Sequence, residues 1–136
     1  MSETKQPDPT LYVLFPGIAR EAMEFYHGLF GGDLVLYTYA EFSRTDGPGD
    51  AIAHGLLSGP VTLFGSDAGA DEDAFAMTGG MLALLGSSDP ATLHRWFDAL
   101  ADGGRVLDPL AKKPWGASDG QVVDRYGLRW LIGYED

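Results

Sequence analysis

The chain has 136 residues, 45% of them hydrophobic and 21% charged, with a formal net charge of −11 and no cysteine. That length fits one domain with a real core, and the missing thiols exclude disulfides and thiolate metal sites. Nine scattered Lys and Arg residues exclude a phosphate-binding nucleic-acid surface, and no apolar stretch reaches the roughly 18 residues that span a bilayer.

Met1 to Thr10 is polar and proline-bearing, neither signal peptide nor lipid anchor, and reads as a loose tail; a cytoplasmic location is expected. Leu11 to Phe15 is an apolar run broken by Pro16-Gly17. Ala19, Ala22, Met23, Tyr26, Leu29 and Phe30 then fall at helical spacing, so Ala19 to Phe30 is predicted to be a helix stopped by Gly31. A strand is expected from Asp33 to Glu41, with Tyr37, Tyr39 and Glu41 on one of its faces. A Gly/Pro-rich loop follows, then two strands, Ala51 to Leu57 and Val61 to Ser66, joined at Ser58-Gly59-Pro60.

The same phrase returns. Met81 to Leu85 is apolar, and Asp89-Pro90 is a cap and first turn for a second helix carrying Leu93, Trp96, Phe97 and Leu100. Gly103-Gly104 ends it. Arg105 to Leu107, an excursion through Trp115-Gly116, and the strands Gln121 to Val123 and Leu128 to Tyr134 complete the copy. The chain therefore reads as two strand-helix-strand-strand-strand modules. The tail covers residues 1–10, the modules 11–68 and 80–136, and a linker 69–79. A two-residue turn in the first hairpin sets Ile52, His54 and Leu56 on the face of Val61, Leu63 and Gly65, whereas a three-residue turn would flip it. A four-residue turn in the last hairpin pairs Val123 with Leu128 and sets Val122 beside Arg129 and Leu131, opposite Trp130 and Ile132.

The phrases Phe15-Pro16-Gly17, Arg20-Glu21-Ala22-Met23-Glu24-Phe25-Tyr26, Phe30-Gly31-Gly32, Ala53-His54, Ser66-Asp67-Ala68, Trp115-Gly116 and Val123 to Trp130 resemble the vicinal-oxygen-chelate superfamily, which includes glyoxalase I, bleomycin-resistance proteins and extradiol dioxygenases. Within it the chain is most similar to the PhnB-like branch. The resemblance implies an α+β fold of two βαβββ modules, cupped mixed sheets around a cavity with helices on the convex side, and a homodimer. It also implies a divalent metal held by His, Glu or Gln from the first and last strands of each module. At those positions stand Leu11, Leu63, Met81 and Leu131, which offer no donor for such an ion, so neither metal nor other cofactor is expected.

His54 is the candidate catalytic residue, either a general base near neutral pH or a hydrogen-bonded core histidine. Arg129 is a candidate anion fork, or else an arginine paired with a carboxylate at the strand end. Trp115 is placed near the cavity mouth, Leu63, Met81 and Leu131 in its walls, and Tyr39 and Glu41 in a pocket or a dimer seam. The expected function is metal-free binding of a small molecule. The alternatives are an enzyme of lyase, isomerase or dioxygenase type, acting through His54 or through a metal site not evident here, and a structural or regulatory homodimer. Neither nucleic acid nor membrane is expected as a partner.

Overall fold

The structure, a computed structural model, describes residues 9–86 and 89–135; most of the expected N-terminal tail lies outside them. The chain divides into two compact units, Met1–Phe75 and Ala76–Asp136. The first holds β1 (Tyr12–Phe15), α1 (Ala19–Phe30), β2 (Asp33–Thr38), β3 (Ile52–Ser58) and β4 (Leu63–Asp67). The second holds β5 (Leu82–Leu85), α2 (Pro90–Ala101), β6 (Arg105–Lys112), β7 (Ala117–Val123) and β8 (Arg129–Glu135). Both sheets have one topology, β1-β4-β3-β2 and β5-β8-β7-β6, with the first strand parallel to the last and the other pairs antiparallel. This is the duplicated βαβββ fold.

In the first unit α1 buries Ala19, Ala22, Met23, Tyr26 and Phe30 against one sheet face, where Val13, Phe15, Leu57 and Leu63 are also buried. Gly65 faces the same way, since a Cβ there would lie 2.7 Å from the Phe15 ring and 3.2 Å from the Met23 sulfur. In the second unit α2 contributes Leu93, Phe97 and Leu100, and the sheet Val122, Trp130 and Ile132. Trp96, expected in that core, is half-buried.

The two helices start differently. Asp89 caps α2 by accepting from the Thr92 amide. The residue before α1 is Ile18, which has no capping side chain. Its place is taken by Asp67, far along the chain at the end of β4, whose Oδ1 accepts from Ala19 N at 2.9 Å. The other oxygen accepts from Ile52 N at 2.9 Å, and the Asp67 carbonyl accepts from the Tyr39 hydroxyl at 2.6 Å. One buried carboxylate thus ties together the starts of α1 and β3.

A second clasp closes the loops of this unit. Arg44 grips Asp46 through Nε and Nη2 at 3.0 and 2.6 Å, reaches Glu72 at 3.3 Å, and lies 4.1 Å from the Tyr39 ring centre. Gly69 threads beneath, where a Cβ would sit 2.1 Å from Asp46 Oδ2. The Arg44 hydrogen bond holds the Asp46 carboxyl below its usual range; the Gly69 amide and then Arg44 do the same for Glu72.

Several strand limits differ from expectation. β2 ends at Thr38, not Glu41, because Tyr37 opposes His54 while Thr38 opposes Ile52, leaving Ala53 as an unmatched bulge residue. The excursion expected after Leu107 is instead the extended arm of a β6–β7 ribbon. There Ala111 pairs with Asp119, and Lys113 binds Asp108 and Asp119 at 3.3 and 3.2 Å.

Asp67→Ala strips the acceptor from two buried amides, each worth about 1–3 kcal/mol, so urea unfolding should show a loss of about 2–4 kcal/mol. A loss below about 1 kcal/mol contradicts the tie. For the Arg44 clasp, depressed folded pKa values mean stabilisation that is present above the unfolded carboxyl pKa, near ~4, and lost as pH falls through the folded values. Melting temperature should therefore fall more steeply with acid in the native protein than in Arg44→Met. Parallel profiles by circular dichroism would exclude this role.

Candidate functional site

Strand register decides which side chains leave the helix-covered face. Leu57 opposes Leu63, so an odd number of residues, 58–62, lies between the members of this pair, and the facing expected from a two-residue turn is reversed. His54 and Leu56 share a face with Phe64, while Leu63 and Gly65 turn toward α1. Leu63 is therefore a core residue and does not stand beside His54. The open face of the first sheet carries Tyr12 and Leu14 from β1, Phe64 from β4, His54 and Leu56 from β3, and Val35 and Tyr37 from β2.

These side chains form an aromatic floor around a histidine. The His54 ring lies between those of Tyr12 and Tyr37, with centres 5.6 and 6.4 Å away and planes within 16° and 12°. Phe64 meets both Tyr12 and His54 edge-on, and Phe42 stacks on Tyr37 at 5.3 Å. The Tyr12 hydroxyl is 2.8 Å from His54 Nδ1 and 3.4 Å from the Ala53 carbonyl. Tyr12, Tyr37 and Phe42 remain 40%, 39% and 49% exposed.

In the second unit the last hairpin also turns through an odd number of residues. Val123 opposes Arg129 and Val122 opposes Trp130, so Val122 belongs to the helix-side core and not to the face of Arg129. The Asp124 carboxylate fixes this turn by accepting from the amides of Tyr126 and Leu128 and from the Trp130 indole at 2.9 Å. Arg129 and Leu131 lie on the open face with Gln121. The guanidinium donates to Gln121 Oε1 at 2.5 Å, while its Nε is buried with no hydrogen-bond partner among the described residues. Met81 is exposed just before β5. Trp115 stands at the tip of the β6–β7 ribbon, 69% exposed, its indole N–H donating to Asp119 at 3.3 Å.

Tyr39 and Glu41 do not join the floor. Beyond the bulge Tyr39 is buried on the Asp67 tie, and burial pushes its phenol up despite Arg44 nearby. Glu41 is an exposed turn residue accepting from the Thr38 amide and hydroxyl, which lower its carboxyl. A separate cleft of about 470 Å³ opens at the start of α1, bordered by Gly17, Arg20, Glu24, Asp50, Tyr39 and Asp67 among others. Of the expected site residues only Tyr39 borders it. Tyr12, Phe64 and Phe42 were not anticipated as site residues. The signal that finds them is turn parity, because an odd connection brings Phe64 rather than Leu63 to the side of His54.

Two βαβββ modules with one sheet topology and an open sheet face apiece define a known class of protein. A model of the glyoxalase/bleomycin resistance protein/dioxygenase superfamily matches residues 10–132, and the chain belongs to that superfamily. Among curated proteins it is similar to Protein YjdN of Escherichia coli strain K12, 26% identical over 137 residues that cover 89% of this chain and 90% of that protein. Among solved structures it is similar to protein PA1353 from Pseudomonas aeruginosa, with a TM-score of 0.80, 32% identity, and coverage of 96% and 98% of the two chains. In fold it also matches the PhnB protein from Bacillus cereus, with a TM-score of 0.75, 22% identity, and coverage of 94% and 99%.

The divalent metal implied by the fold family does not fit the donors present. On the open face the first and last strands of the modules offer Tyr12, Leu14, Phe64 and Ser66, then Ala83, Leu85, Arg129 and Leu131, with no imidazole and a single carboxylate, Glu135, at the exposed end of β8. Nor do the described residues hold any group of three or more His, Asp or Glu side chains placed for a metal ion. His54 lies on β3, outside those strands.

The register is testable by paired truncations. Leu63→Ala, at a fully buried position, should cost about 2–5 kcal/mol in urea unfolding. Leu131→Ala, at a partly exposed position on the open face, should cost about 1 kcal/mol or less. Equal losses would return Leu63 to the open face.

Proposed function

We propose that this protein binds a planar, apolar small molecule on the open face of its first sheet, without a metal. The observation that carries the reading is the floor of Tyr12, His54, Tyr37 and Phe64 on the face that α1 does not cover, with Tyr12 and Tyr37 exposed and His54 and Phe64 half-buried. Exposed rings flanking one polar group are a common form of small-ligand site, in which the rings supply apolar contact and the polar group fixes orientation. On the second sheet, taken by itself, Arg129 is a group suited to an anion, because a buried guanidinium N–H without a partner among the described residues is costly and an anion's oxygen would satisfy it. Edge strands at both sides of each sheet, together with exposed Val35, Leu85 and Val106, support a homodimer, to be checked by light scattering at micromolar concentration.

The test is titration with 2-acetylnaphthalene, followed through the ring resonances of Tyr12, Tyr37 and Phe64. Saturable shifts are expected, unchanged by EDTA. Tyr37→Ala combined with Phe64→Ala should weaken binding about tenfold, from stacking worth about 0.5–1.5 kcal/mol per ring. For the second sheet by itself, benzoate should bind about tenfold more weakly to Arg129→Leu than to the native protein, with the circular dichroism spectrum intact. Absence of ring shifts, or loss of binding with EDTA, would overturn the metal-free reading.

A further inference from the structure

The floor contains one polar contact that the binding reading leaves unused, the hydrogen bond between Tyr12 and His54. A neutral imidazole has one donor and one acceptor nitrogen, and the bond made by one decides what the other offers. The phenol has a single proton and two acceptors within reach, Nδ1 at 2.8 Å and the Ala53 carbonyl at 3.4 Å. The shorter contact has the length of a strong hydrogen bond, whereas the longer lies at the weak limit. A phenol proton given to Nδ1 leaves the ring proton of neutral His54 on Nε2. That nitrogen has no hydrogen-bond partner among the described residues, nor is it one of their buried unsatisfied atoms, so its N–H is open to a ligand. The rings of Tyr12 and Tyr37 lie nearly parallel to the imidazole, Phe64 meets it edge-on, and among the described residues no carboxylate hydrogen-bonds or ion-pairs with the ring.

We propose that Tyr12 is a positioning residue that fixes His54 in its Nε2–H form, so that the floor selects planar ligands carrying an acceptor oxygen, such as a conjugated ketone or a carboxylate. The selectivity rests on the binding reading above; the tautomer does not, since it belongs to the free protein.

Two measurements on the full chain separate these parts. Long-range proton–nitrogen correlation spectra of the ¹⁵N-labelled protein, at a pH above the histidine range, should show His54 Nδ1 as the unprotonated nitrogen and Nε2 as the protonated one. Tyr12→Phe, which keeps the ring, should move Nδ1 further toward the free-acceptor position. A protonated Nδ1, or an averaged pair of signals identical in the native protein and Tyr12→Phe, overturns the assignment. The second measurement compares 2-acetylnaphthalene with 2-isopropenylnaphthalene, which replaces the carbonyl oxygen by CH2. The ketone should bind about three- to tenfold tighter, the worth of one hydrogen bond. That preference should vanish in His54→Phe and shrink in Tyr12→Phe. Equal affinities in the native protein overturn the selectivity while leaving the floor in place. Binding of neither probe overturns the floor and the selectivity together, and the spectrum still decides the tautomer by itself.

Discussion

The Asp67 carboxylate is the interaction on which the first unit depends. It terminates β4, caps α1 in place of a residue of the helix itself, and receives the first amide of β3. Helix starts leave amides without intrahelical partners, and a nearby carboxylate also suits the positive end of the helix dipole. Here that ordinary local need is met by a residue 48 positions away, which converts capping into a tertiary constraint. The helix is thereby registered on the sheet, one face of β4 is committed to α1, and the other is left to the floor.

The second unit reaches the same topology by another route. Its helix is capped locally by Asp89, and its buried carboxylate, Asp124, organises the β7–β8 turn and receives the Trp130 indole. The repeat is thus one of topology and not of anchoring. Composition follows suit: one open face carries phenols, a phenyl and an imidazole, the other an arginine held by a glutamine. A shared fold places a face where a ligand can lie, and the side chains on it decide the chemistry.

The fold was legible because it is written in periodic and repeated signals. The helical spacing from Ala19 to Phe30, the two glycine stops and the Asp89-Pro90 start each appear where expected, with Gly31 and Gly103 at φ 80° and 77°. The facing of side chains was not legible, since it turns on the parity of two connections, 58–62 and 124–128. Nothing in Ser58-Gly59-Pro60 distinguishes an even turn from an odd one, and a single residue exchanges the faces of a strand. Leu63 and Val122 were misplaced for that reason alone. Tyr39 and Glu41 were carried past the end of β2 because the Ala53 bulge leaves no mark on the alternation of Tyr37, Tyr39 and Glu41.

What the sheet presents also follows from what it lacks. A fold whose enzymes place metal donors on the first and last strands carries Tyr12, Phe64 and Leu131 there instead. Such a change is not neutral, because an exposed ring loses about 25 cal/mol for each Å² of apolar surface left in water. A surface under selection for solubility alone favours charged side chains at those positions, and with a net charge of −11 the rest of this chain is well supplied with them. Yet on the open face of β1 to β4 the one charged residue is Asp33, at the start of β2, and the rings converge on the only histidine of the unit's sheet. Apolar rings kept together around one imidazole, on a chain otherwise rich in carboxylates, are an arrangement that becomes favourable once a flat molecule covers them.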